Sequence, residues 1–200
     1  MFRFCGRCGG VFLAPSFRLD AWGQRKRYEL HRNDPSDEGY RSFLLRFIEP
    51  VLACLPELPR RVLDFGCGPL TGKTPALVTL LEEQLPEAEI RGWDPFFAPD
   101  TSLFAEGADL VMCLEVAEHF ESPREGFASL AAACRPGGRA AVGTMTVPED
   151  PEAFDSWWYK DDPTHVSLYS VSALEYAAVS AGLVFERAVS ERVFLFFRPR

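Results

Sequence analysis

The stretch that decides the fold is Arg61-Val-Leu-Asp-Phe-Gly-Cys-Gly-Pro69. Its apolar residues predict a short strand, which runs into the acidic residue Asp64 and then into a turn containing Gly66 and Gly68. Glycine has no Cβ atom, so a flat or charged small molecule can lie directly on the backbone of such a turn. The stretch therefore predicts the first unit of an α/β fold, with a ligand at its glycine turn.

The residues after this turn distinguish between classes of nucleotide. A dinucleotide site would have a third glycine three residues after the second, but this chain has Thr71 at that position. The end of the next strand does carry an acid, Asp94, whose carboxylate can accept hydrogen bonds from two ribose hydroxyls. The pattern therefore predicts a nucleoside ligand that lacks a pyrophosphate.

A second interpretation of the loop is a phosphate-binding loop, because Cys67-Gly-Pro-Leu-Thr-Gly-Lys-Thr74 is one residue away from that motif. The motif requires glycine at the position of Cys67, and Pro69 removes an amide hydrogen from a loop whose amides would bind phosphate. The sequence also shows no second strand ending in the acid that such sites use to hold magnesium. We therefore favour the nucleoside site over a nucleotide triphosphatase.

Length, composition and charge limit the classes of function. The chain has 200 residues, of which 47% are hydrophobic, and this is enough for one sizeable core. A net charge of -8 argues against binding to nucleic-acid backbones, and a basic cluster as small as Arg25-Lys-Arg27 with Arg32 is typical of a solvated face. The sequence contains neither an apolar run long enough to cross a bilayer nor a signal peptide, so we expect a cytoplasmic protein without a membrane partner.

The six cysteines are expected to be reduced thiols, and three of them lie in apolar runs where they pack as small hydrophobic side chains: Cys54, Cys113 and Cys134. Cys5-Gly-Arg-Cys8-Gly-Gly has the form of a zinc knuckle. A structural zinc site needs four ligands, and even with His31 as a third the chain falls short of that set. Residues 1–38 therefore predict an N-terminal extension with half of a zinc ribbon, and we do not expect zinc at Cys5 and Cys8.

Strands alternate with helices along the remaining chain. Apolar runs of strand length cover residues 61–64, 89–93, 109–114, 138–146, 183–186 and 192–197, and helical patterns cover residues 39–55, 75–84, 123–134 and 172–181. Such alternation predicts parallel strands with helices on both faces, and ligands then bind at the carboxyl ends of the strands. The acidic and aromatic insertion from Glu149 to Tyr159 is our candidate for a lid over a second substrate.

Three later segments strengthen the interpretation of the glycine turn: Asp109-Leu-Val-Met-Cys-Leu-Glu-Val-Ala-Glu-His119, Arg135-Pro-Gly-Gly138 and Asp162-Pro-Thr-His-Val166. Together with Asp94, they resemble the class I S-adenosylmethionine-dependent methyltransferases, and the similarity runs from about Arg27 to Gly182. The chain looks closest to small bacterial members with an N-terminal Cys-x-x-Cys segment and an Arg-Tyr-x-x-His-x-Asn segment, here Arg27 to Asn33, ahead of the nucleotide fold. The resemblance implies a doubly wound, mostly parallel, seven-stranded sheet with an antiparallel terminal strand, formed by residues 39–200.

The resemblance also implies which residues bind the methyl donor, S-adenosyl-L-methionine. Gly66 and Gly68 approach its amino-acid end, Asp64 orders it through the loop, and Asp94 holds its ribose. The rest of the expected donor site consists of Pro95, Phe96 and Glu115. Phe96 and the adjacent Phe97 could pack on the adenine ring or, equally well, cover the edge of the sheet.

Glu115, Glu118 and His119 follow a buried strand, and helical spacing would bring their side chains to one side. This pattern is similar to that of the ubiquinone-biosynthesis and small-RNA terminal 2'-O-methyltransferases. In those families the residues bind a divalent metal, and a later histidine, here His165, completes the site. The resemblance thus implies Mg²⁺ or another divalent metal at these four residues. The alternatives are a catalytic acid–base role of His119 or His165 without a metal, and a structural role.

We therefore expect an S-adenosylmethionine-dependent methyltransferase that acts on a small hydroxylated molecule, with divalent-metal assistance. The alternative is a non-catalytic regulatory or assembly protein that binds the donor and contacts a partner through the half zinc ribbon. The acceptor, the atom that is methylated and the oligomeric state do not follow from the sequence.

Overall fold

The chain alternates strands and helices in a computed structural model that describes residues 1–31, 33–69 and 74–200. Arg32 of the basic cluster and the loop Leu70–Lys73, which includes Thr71, lie outside the described residues. The strands are β1 (Phe2–Phe4), β2 (Val11–Leu13), β3 (Arg61–Phe65), β4 (Glu89–Trp93), β5 (Ala108–Leu114), β6 (Cys134–Gly143), β7 (Ser167–Leu168), β8 (Val184–Ser190) and β9 (Val193–Phe197). The helices are α1 (Ala21–Tyr28), α2 (Glu38–Ala53), α3 (Ala76–Gln84), α4 (Leu103–Glu106), α5 (Pro123–Ala133), α6 (Pro151–Asp155) and α7 (Val171–Ser180). Within these described ranges, no helix is both long enough and apolar enough to span a bilayer.

The main sheet has the strand order β4-β3-β5-β6-β9-β8. β3 pairs in parallel with β4 and β5, and β5 pairs in parallel with β6. The last strand, β9, runs antiparallel to both of its neighbours, β6 and β8. The predicted α/β fold with a mostly parallel sheet and an antiparallel terminal strand is therefore confirmed.

Helices cover both faces of this sheet. Along β5, Val111 and Cys113 face an apolar cluster that includes side chains of α5 and α7. Leu110 and Met112 alternate with them and face a second cluster, which includes side chains of α2 and α3. Because successive side chains of a strand point to opposite faces, each face can bury its own apolar layer.

The sheet has six strands rather than the seven implied by the resemblance, and the six apolar runs of the sequence correspond to these six strands. Residues 94–107, between β4 and β5, contain Pro95 and Pro99. They form the short helix α4 and an isolated bridge between Asp94 and Ala98. Proline cannot donate a backbone hydrogen bond to a neighbouring strand, so this segment is poorly suited to extend the sheet beyond β4.

A second, three-stranded sheet joins the N-terminal segment to the body of the protein. β1 and β2 form an antiparallel hairpin, and β2 pairs with β7. The connection between β1 and β2 carries the free thiols Cys5 and Cys8, and the Ser170 hydroxyl donates a hydrogen bond of 2.6 Å to the Cys8 carbonyl. Trp157 and Tyr159 belong to the apolar cluster under this sheet. The N-terminal sheet therefore packs against the aromatic insertion.

Gly66 is required by both the backbone conformation and the packing of the turn. Its φ is +85°, and a Cβ atom at this position would lie 2.5 Å from a Val116 methyl group. We expect Gly66→Ala to lower the free energy of unfolding by about 2–4 kcal/mol, because a strained φ and overpacking each cost about 1–3 kcal/mol. Urea denaturation followed by circular dichroism measures this loss.

Gly182→Ala is the matched control for this prediction. Gly182 has a similar φ of +81°, but nothing lies within 4 Å of the added Cβ atom. Its loss should be only about 1–2 kcal/mol, the cost of the left-handed backbone alone. Adding Val116→Ala to Gly66→Ala should recover part of the larger loss. Equal losses for the two glycine variants would show that the Val116 contact has no effect.

Candidate active site

A cavity of about 570 Å³ lies at the carboxyl ends of β3, β4 and β5, which is where a parallel sheet of this kind binds its ligands. Its volume is within the range of small-molecule binding sites. The wall contains every residue that the sequence predicts for donor binding: Asp64, Gly66, Gly68, Asp94, Pro95, Phe96 and Glu115. His119 and His165 line the same cavity, so the fold brings the two predicted groups of site residues together.

The glycine turn is held by backbone hydrogen bonds to the neighbouring strand. The N–H groups of Gly66 and Cys67 donate to the Trp93 carbonyl at 2.7 and 3.0 Å. Gly68 has a φ of +68°, and a Cβ atom there would lie 3.3 Å from Asn33 Nδ2, which also lines the cavity. Gly68 therefore keeps the cavity wall open, whereas Gly66 makes room for Val116.

Asp94 is bound by three backbone amides. Its Oδ2 accepts a hydrogen bond from Gly68 N at 3.1 Å, and its Oδ1 accepts from Phe96 N at 2.8 Å and Phe97 N at 3.1 Å. Burial raises the pKa of the Asp94 carboxyl, and these amides oppose that rise. The carboxylate thus ties the glycine turn to the loop that follows β4.

Asp64 ends β3 with only 3% of its surface exposed. Burial raises the pKa of its carboxyl to about 8, and the negative charge of Asp94 contributes to the rise. Glu115 lines the same cavity as Asp64 and Asp94. Burial, together with the negative charge of Glu118, raises the pKa of Glu115 to about 8 as well. A cationic ligand would favour the charged forms of these carboxyls.

The raised pKa of Asp64 predicts a pH-dependent stability of the ligand-free protein. The folded protein holds this proton more tightly than the unfolded chain does. Ionisation of Asp64 therefore lowers the free energy of unfolding; this loss is absent below about pH 4, grows as the pH rises, and reaches its full size above about pH 8. Asp64→Asn removes this loss. We expect the difference in free energy of unfolding between the variant and the wild type to grow by about 2–4 kcal/mol, in favour of the variant, as the pH rises from 5 to 8. Urea denaturation at the two pH values measures the gain, and a difference that is independent of pH would contradict it.

Glu118 is fully buried and accepts two hydrogen bonds from hydroxyl groups. Tyr159 donates to its Oε1 at 2.5 Å, and Thr144 donates to its Oε2 at 2.8 Å. Burial raises the pKa of Glu118, while His165 and the two hydroxyls oppose the rise. Among the side chains that the structure describes, the only basic group within 4.0 Å of this carboxylate is His165, whose Nε2 lies 4.0 Å from Oε1.

Backbone carbonyls fix the two histidines in one tautomer. His119 Nδ1 lies 3.0 Å from the Thr164 carbonyl, and His165 Nδ1 lies 2.6 Å from the Tyr159 carbonyl. Because a carbonyl can only accept, each Nδ1 must carry the proton and each Nε2 is left with a lone pair. Burial lowers the pKa of His119 to about 4 and also lowers the pKa of His165, so both rings are neutral at neutral pH.

The structure brings three of the four predicted metal ligands together. One ligand atom from each of Glu118, His119 and His165 lies within 4.8 Å of the others. Glu115 is outside this group, although it lines the cavity. Helical spacing predicted that these side chains share one side, but Ala117–His119 forms a single 3₁₀ turn instead of a helix, and Glu115 has a φ of +54°. Glu115 therefore lines the cavity without joining the group, although the charge of Glu118 still raises its pKa.

Several site residues were not found from the sequence. Tyr28 lines the cavity, and its ring lies 5.2 Å from His119 and 5.6 Å from Phe96. Asn33 faces Gly68, as described above. The segment Arg-Tyr-x-x-His-x-Asn that precedes the nucleotide fold contains both residues, and this was the available signal.

The aromatic insertion does not lie over the cavity, where a lid was expected. Residues 149–150 and 152–159 are absent from the cavity wall. Trp157 and Tyr159 are instead buried beneath the N-terminal sheet, and Tyr159 reaches Glu118 from behind the cavity. Their large apolar rings are more stable in this cluster than over an open site.

The structure also shows what the residues of the basic cluster and His31 contact. Arg25 and Lys26 pair with Glu29, and Arg27 pairs with Asp162 at 2.6 Å. His31 lines the cavity, and among the described residues no group of three metal-binding side chains includes Cys5 and Cys8. The half zinc ribbon therefore gains no third ligand from this part of the chain.

Comparison with known proteins supports a single family. Residues 19–187 match the family described as a methyltransferase domain. No curated protein gives a significant match. Among solved structures, an O-methyltransferase family protein from Burkholderia thailandensis aligns with a TM-score of 0.58 and 20% identity, over 92% of this chain and 63% of its own.

Two further structures share the fold. CalO1, a methyltransferase of calicheamicin biosynthesis with SAH bound, aligns with a TM-score of 0.53 and 19% identity, over 81% of this chain and 55% of its own. A complex between the Haloferax volcanii Trm112 methyltransferase activator and a candidate methyltransferase aligns with a TM-score of 0.56 and 16% identity, over 94% of this chain and 100% of the matched chain. The chain spans less than two thirds of the Burkholderia protein and of CalO1. The family match covers residues 19–187, and the sheet order and the glycine turn at the cavity agree with it. The chain therefore belongs to the methyltransferase domain family of class I S-adenosylmethionine-dependent enzymes.

Proposed function

We propose that the protein transfers a methyl group from S-adenosylmethionine to a hydroxyl oxygen of a small acceptor, with a divalent cation held by Glu118, His119 and His165. The observation that supports this most strongly is the convergence of these three ligand atoms, within 4.8 Å of one another, beside the donor cavity. The site thus offers a place for the donor and a group that favours loss of the acceptor proton.

The donor side of the proposal rests on charge and on free hydrogen-bonding capacity. A carboxylate has about four acceptor positions, and three of those on Asp94 are used by backbone amides. The remaining position on Oδ2 can accept a ribose hydroxyl. Asp64 and Glu115 lie in the same wall and would attract the donor, with its sulfonium charge, more than the product, which has a neutral sulfur. Phe96 is available to pack on the adenine ring.

The cation side rests on the chemistry of the three side chains. Two neutral imidazoles present Nε2 lone pairs, and the orientation of each by a carbonyl at Nδ1 is the usual second-sphere arrangement of metal-binding histidines. Two nitrogens and one carboxylate suit Zn²⁺, Co²⁺ or Fe²⁺ better than Mg²⁺, which prefers oxygen. When bound, such an ion lowers the pKa of an acceptor hydroxyl. A cation would also compensate the buried charge of Glu118.

The reaction requires the protein mainly to align its two substrates. The acceptor oxygen forms a bond to the methyl carbon as the carbon–sulfur bond breaks, and the sulfur keeps the electron pair. The hydroxyl proton must leave during this step. In a metal-free site the lone pair on His119 Nε2 can accept it. With a cation held at the site that lone pair would be occupied, and the acidified hydroxyl would release its proton to water.

The proposal is tested by incubating EDTA-treated protein with S-adenosylmethionine and a panel of small phenols and alcohols, with and without Co²⁺. Mass spectrometry then measures S-adenosylhomocysteine and the methylated acceptor. We expect turnover that depends on Co²⁺. Turnover that is unaffected by EDTA would support acid–base catalysis by histidine alone. Donor binding without turnover on any acceptor would support the alternative of a regulatory or assembly protein.

We also propose that residues 1–38 are an extension and that residues 39–200 form the donor-binding domain. Tyr28 and His31 line the cavity, so the extension would contribute to the side where the acceptor enters. Its half zinc ribbon has no proposed role in catalysis.

A further inference from the structure

We infer that Tyr159 is the positioning residue that holds Glu118 and His165 in their working arrangement. This inference rests on the proposed function of the Glu118–His119–His165 group. The Tyr159 hydroxyl donates to Glu118 Oε1 at 2.5 Å, and its backbone carbonyl accepts the proton of His165 Nδ1 at 2.6 Å. Its ring centroid lies 4.2 Å from that of His165. One residue thus contacts two members of the group through three different parts of its structure.

The two groups that Tyr159 joins come from distant segments of the chain. Glu118 lies in the 3₁₀ turn after β5, whereas His165 precedes β7. Tyr159 itself lies in the 3₁₀ helix Trp158–Asp161. The backbone already joins the two segments, because Val166 N donates to the Glu118 carbonyl at 2.9 Å. Tyr159 adds the link between the side chains of Glu118 and His165. Tyr159 is 1% exposed and does not line the cavity, so it acts without touching a ligand.

The hydroxyl of Tyr159 has a specific electrostatic effect on Glu118. A buried carboxylate keeps its charge only if donors compensate for the loss of water, and a hydroxyl donates to the charged form. Thr144 supplies the second such donor, and its Oγ1 lies 3.2 Å from the Tyr159 hydroxyl. Removal of the Tyr159 hydroxyl would leave Glu118 with one donor and free it to rotate away from His165.

Support for Tyr159 comes from the aromatic insertion and the N-terminal sheet. Trp157 is 8% exposed, and its ring lies 5.2 Å from that of Tyr159. Both pack with Val11 of β2 and Leu168 of β7. The insertion and the sheet therefore form a packed base behind the site, and second-sphere residues depend on such packing to hold their orientation.

The test compares Tyr159→Phe with the wild type by titration with Co²⁺ and with S-adenosylmethionine. The substitution removes the hydroxyl and keeps both the ring and the carbonyl. We expect the Co²⁺ dissociation constant to rise by about 10–100-fold, the usual effect of losing a second-sphere partner, and the visible spectrum of bound Co²⁺ to change. The donor dissociation constant should stay within about twofold, because Tyr159 does not line the cavity.

Tyr169→Phe is the matched control. Tyr169 is also 1% exposed, and its hydroxyl donates at 2.9 Å to the backbone carbonyl of Ala117. Ala117 belongs to the same 3₁₀ turn as Glu118 and His119, so this control removes a hydroxyl that holds the turn but bonds to no side chain of the group. Both variants lose one buried tyrosine hydroxyl, so their melting temperatures should fall by similar amounts. Only Tyr159→Phe should weaken Co²⁺ binding by more than about threefold. Equal weakening in both variants would reduce the role of Tyr159 to general stability and overturn the inference.

A second measurement separates this inference from the proposed metal. The chain has three histidines, so the ¹⁵N spectrum of histidine-labelled protein is simple. In the metal-free protein, Tyr159→Phe should shift the ring signals of His165 and leave those of His31 unchanged. If the wild type takes up no Co²⁺, the proposed metal site fails and the His165 signals alone decide the role of Tyr159. Unchanged His165 signals in Tyr159→Phe would overturn the inference whether or not Co²⁺ binds.

Discussion

Asp94→Ala is expected to raise the dissociation constant of S-adenosylmethionine by at least about 100-fold. The substitution removes the acceptor proposed for the ribose and also the three backbone hydrogen bonds that join Gly68 to Phe96 and Phe97. A hydrogen bond to a charged group contributes about 1.5–3 kcal/mol, so the loss of the ribose hydrogen bond alone weakens donor binding by about 10–150-fold. The glycine turn also loses its tie to the loop after β4, which adds to this effect. Isothermal titration calorimetry with the purified variant measures it.

Asp100→Ala is the control for Asp94→Ala. Asp100 lies in the same loop, and it accepts a comparable hydrogen bond from Ser102 N at 2.9 Å, but it is exposed and does not line the cavity. Its substitution should leave the donor affinity within about twofold of the wild type. An Asp94→Ala variant that is folded and binds the donor with wild-type affinity would refute the role of Asp94.

His165→Ala is expected to raise the dissociation constant of Co²⁺ by about 100-fold or more and to reduce metal-dependent turnover by a similar factor. The variant loses one of three ligand atoms, which should cost at least as much as losing a second-sphere partner. The donor dissociation constant should change much less, because Asp64, Asp94 and the glycine turn remain. Calorimetric titrations with Co²⁺ and with the donor measure the two effects separately.

His31→Ala controls for the loss of an imidazole from the same cavity. His31 lines the cavity but does not belong to the group formed by Glu118, His119 and His165. Its Co²⁺ affinity should therefore match that of the wild type. If His165→Ala binds Co²⁺ as tightly as His31→Ala does, the proposed metal site is wrong, and acid–base catalysis by the histidines becomes the better explanation.

The periodicity of the sequence predicted the main sheet because its strands are short apolar runs bounded by turn residues. Each of the six runs corresponds to a strand of the main sheet. The sequence also predicted that the proposed donor residues would lie at one edge of the sheet, since Asp64 and Asp94 come at the ends of consecutive parallel strands, and all of them line one cavity. No apolar run predicted a seventh strand. That strand was implied by resemblance alone, and the proline-containing segment after Asp94 does not form it.

Predictions about side-chain partners were less successful, because these depend on contacts between distant segments. Asp94 was assigned to two ribose hydroxyls, yet three of its acceptor positions are used by the protein's own amides. Glu115 was grouped with Glu118 and His119 by helical spacing, but the backbone takes a left-handed turn at this residue. Neither the amide contacts nor the turn has a signal in the local pattern of residues.

The sequence by itself determined the order of the main-sheet strands and of the four helices that pack on them, the glycine turn, and the identity of the acids and histidines available for chemistry. These follow from local steric preferences and from the alternation of apolar and polar residues. Only the tertiary structure decided that His165 meets Glu118 and that Tyr159 bridges them from behind the cavity. The reason is physical: Tyr159 and Glu118 are 41 residues apart in the chain, and their distance in space is set by the packing of the insertion against the N-terminal sheet.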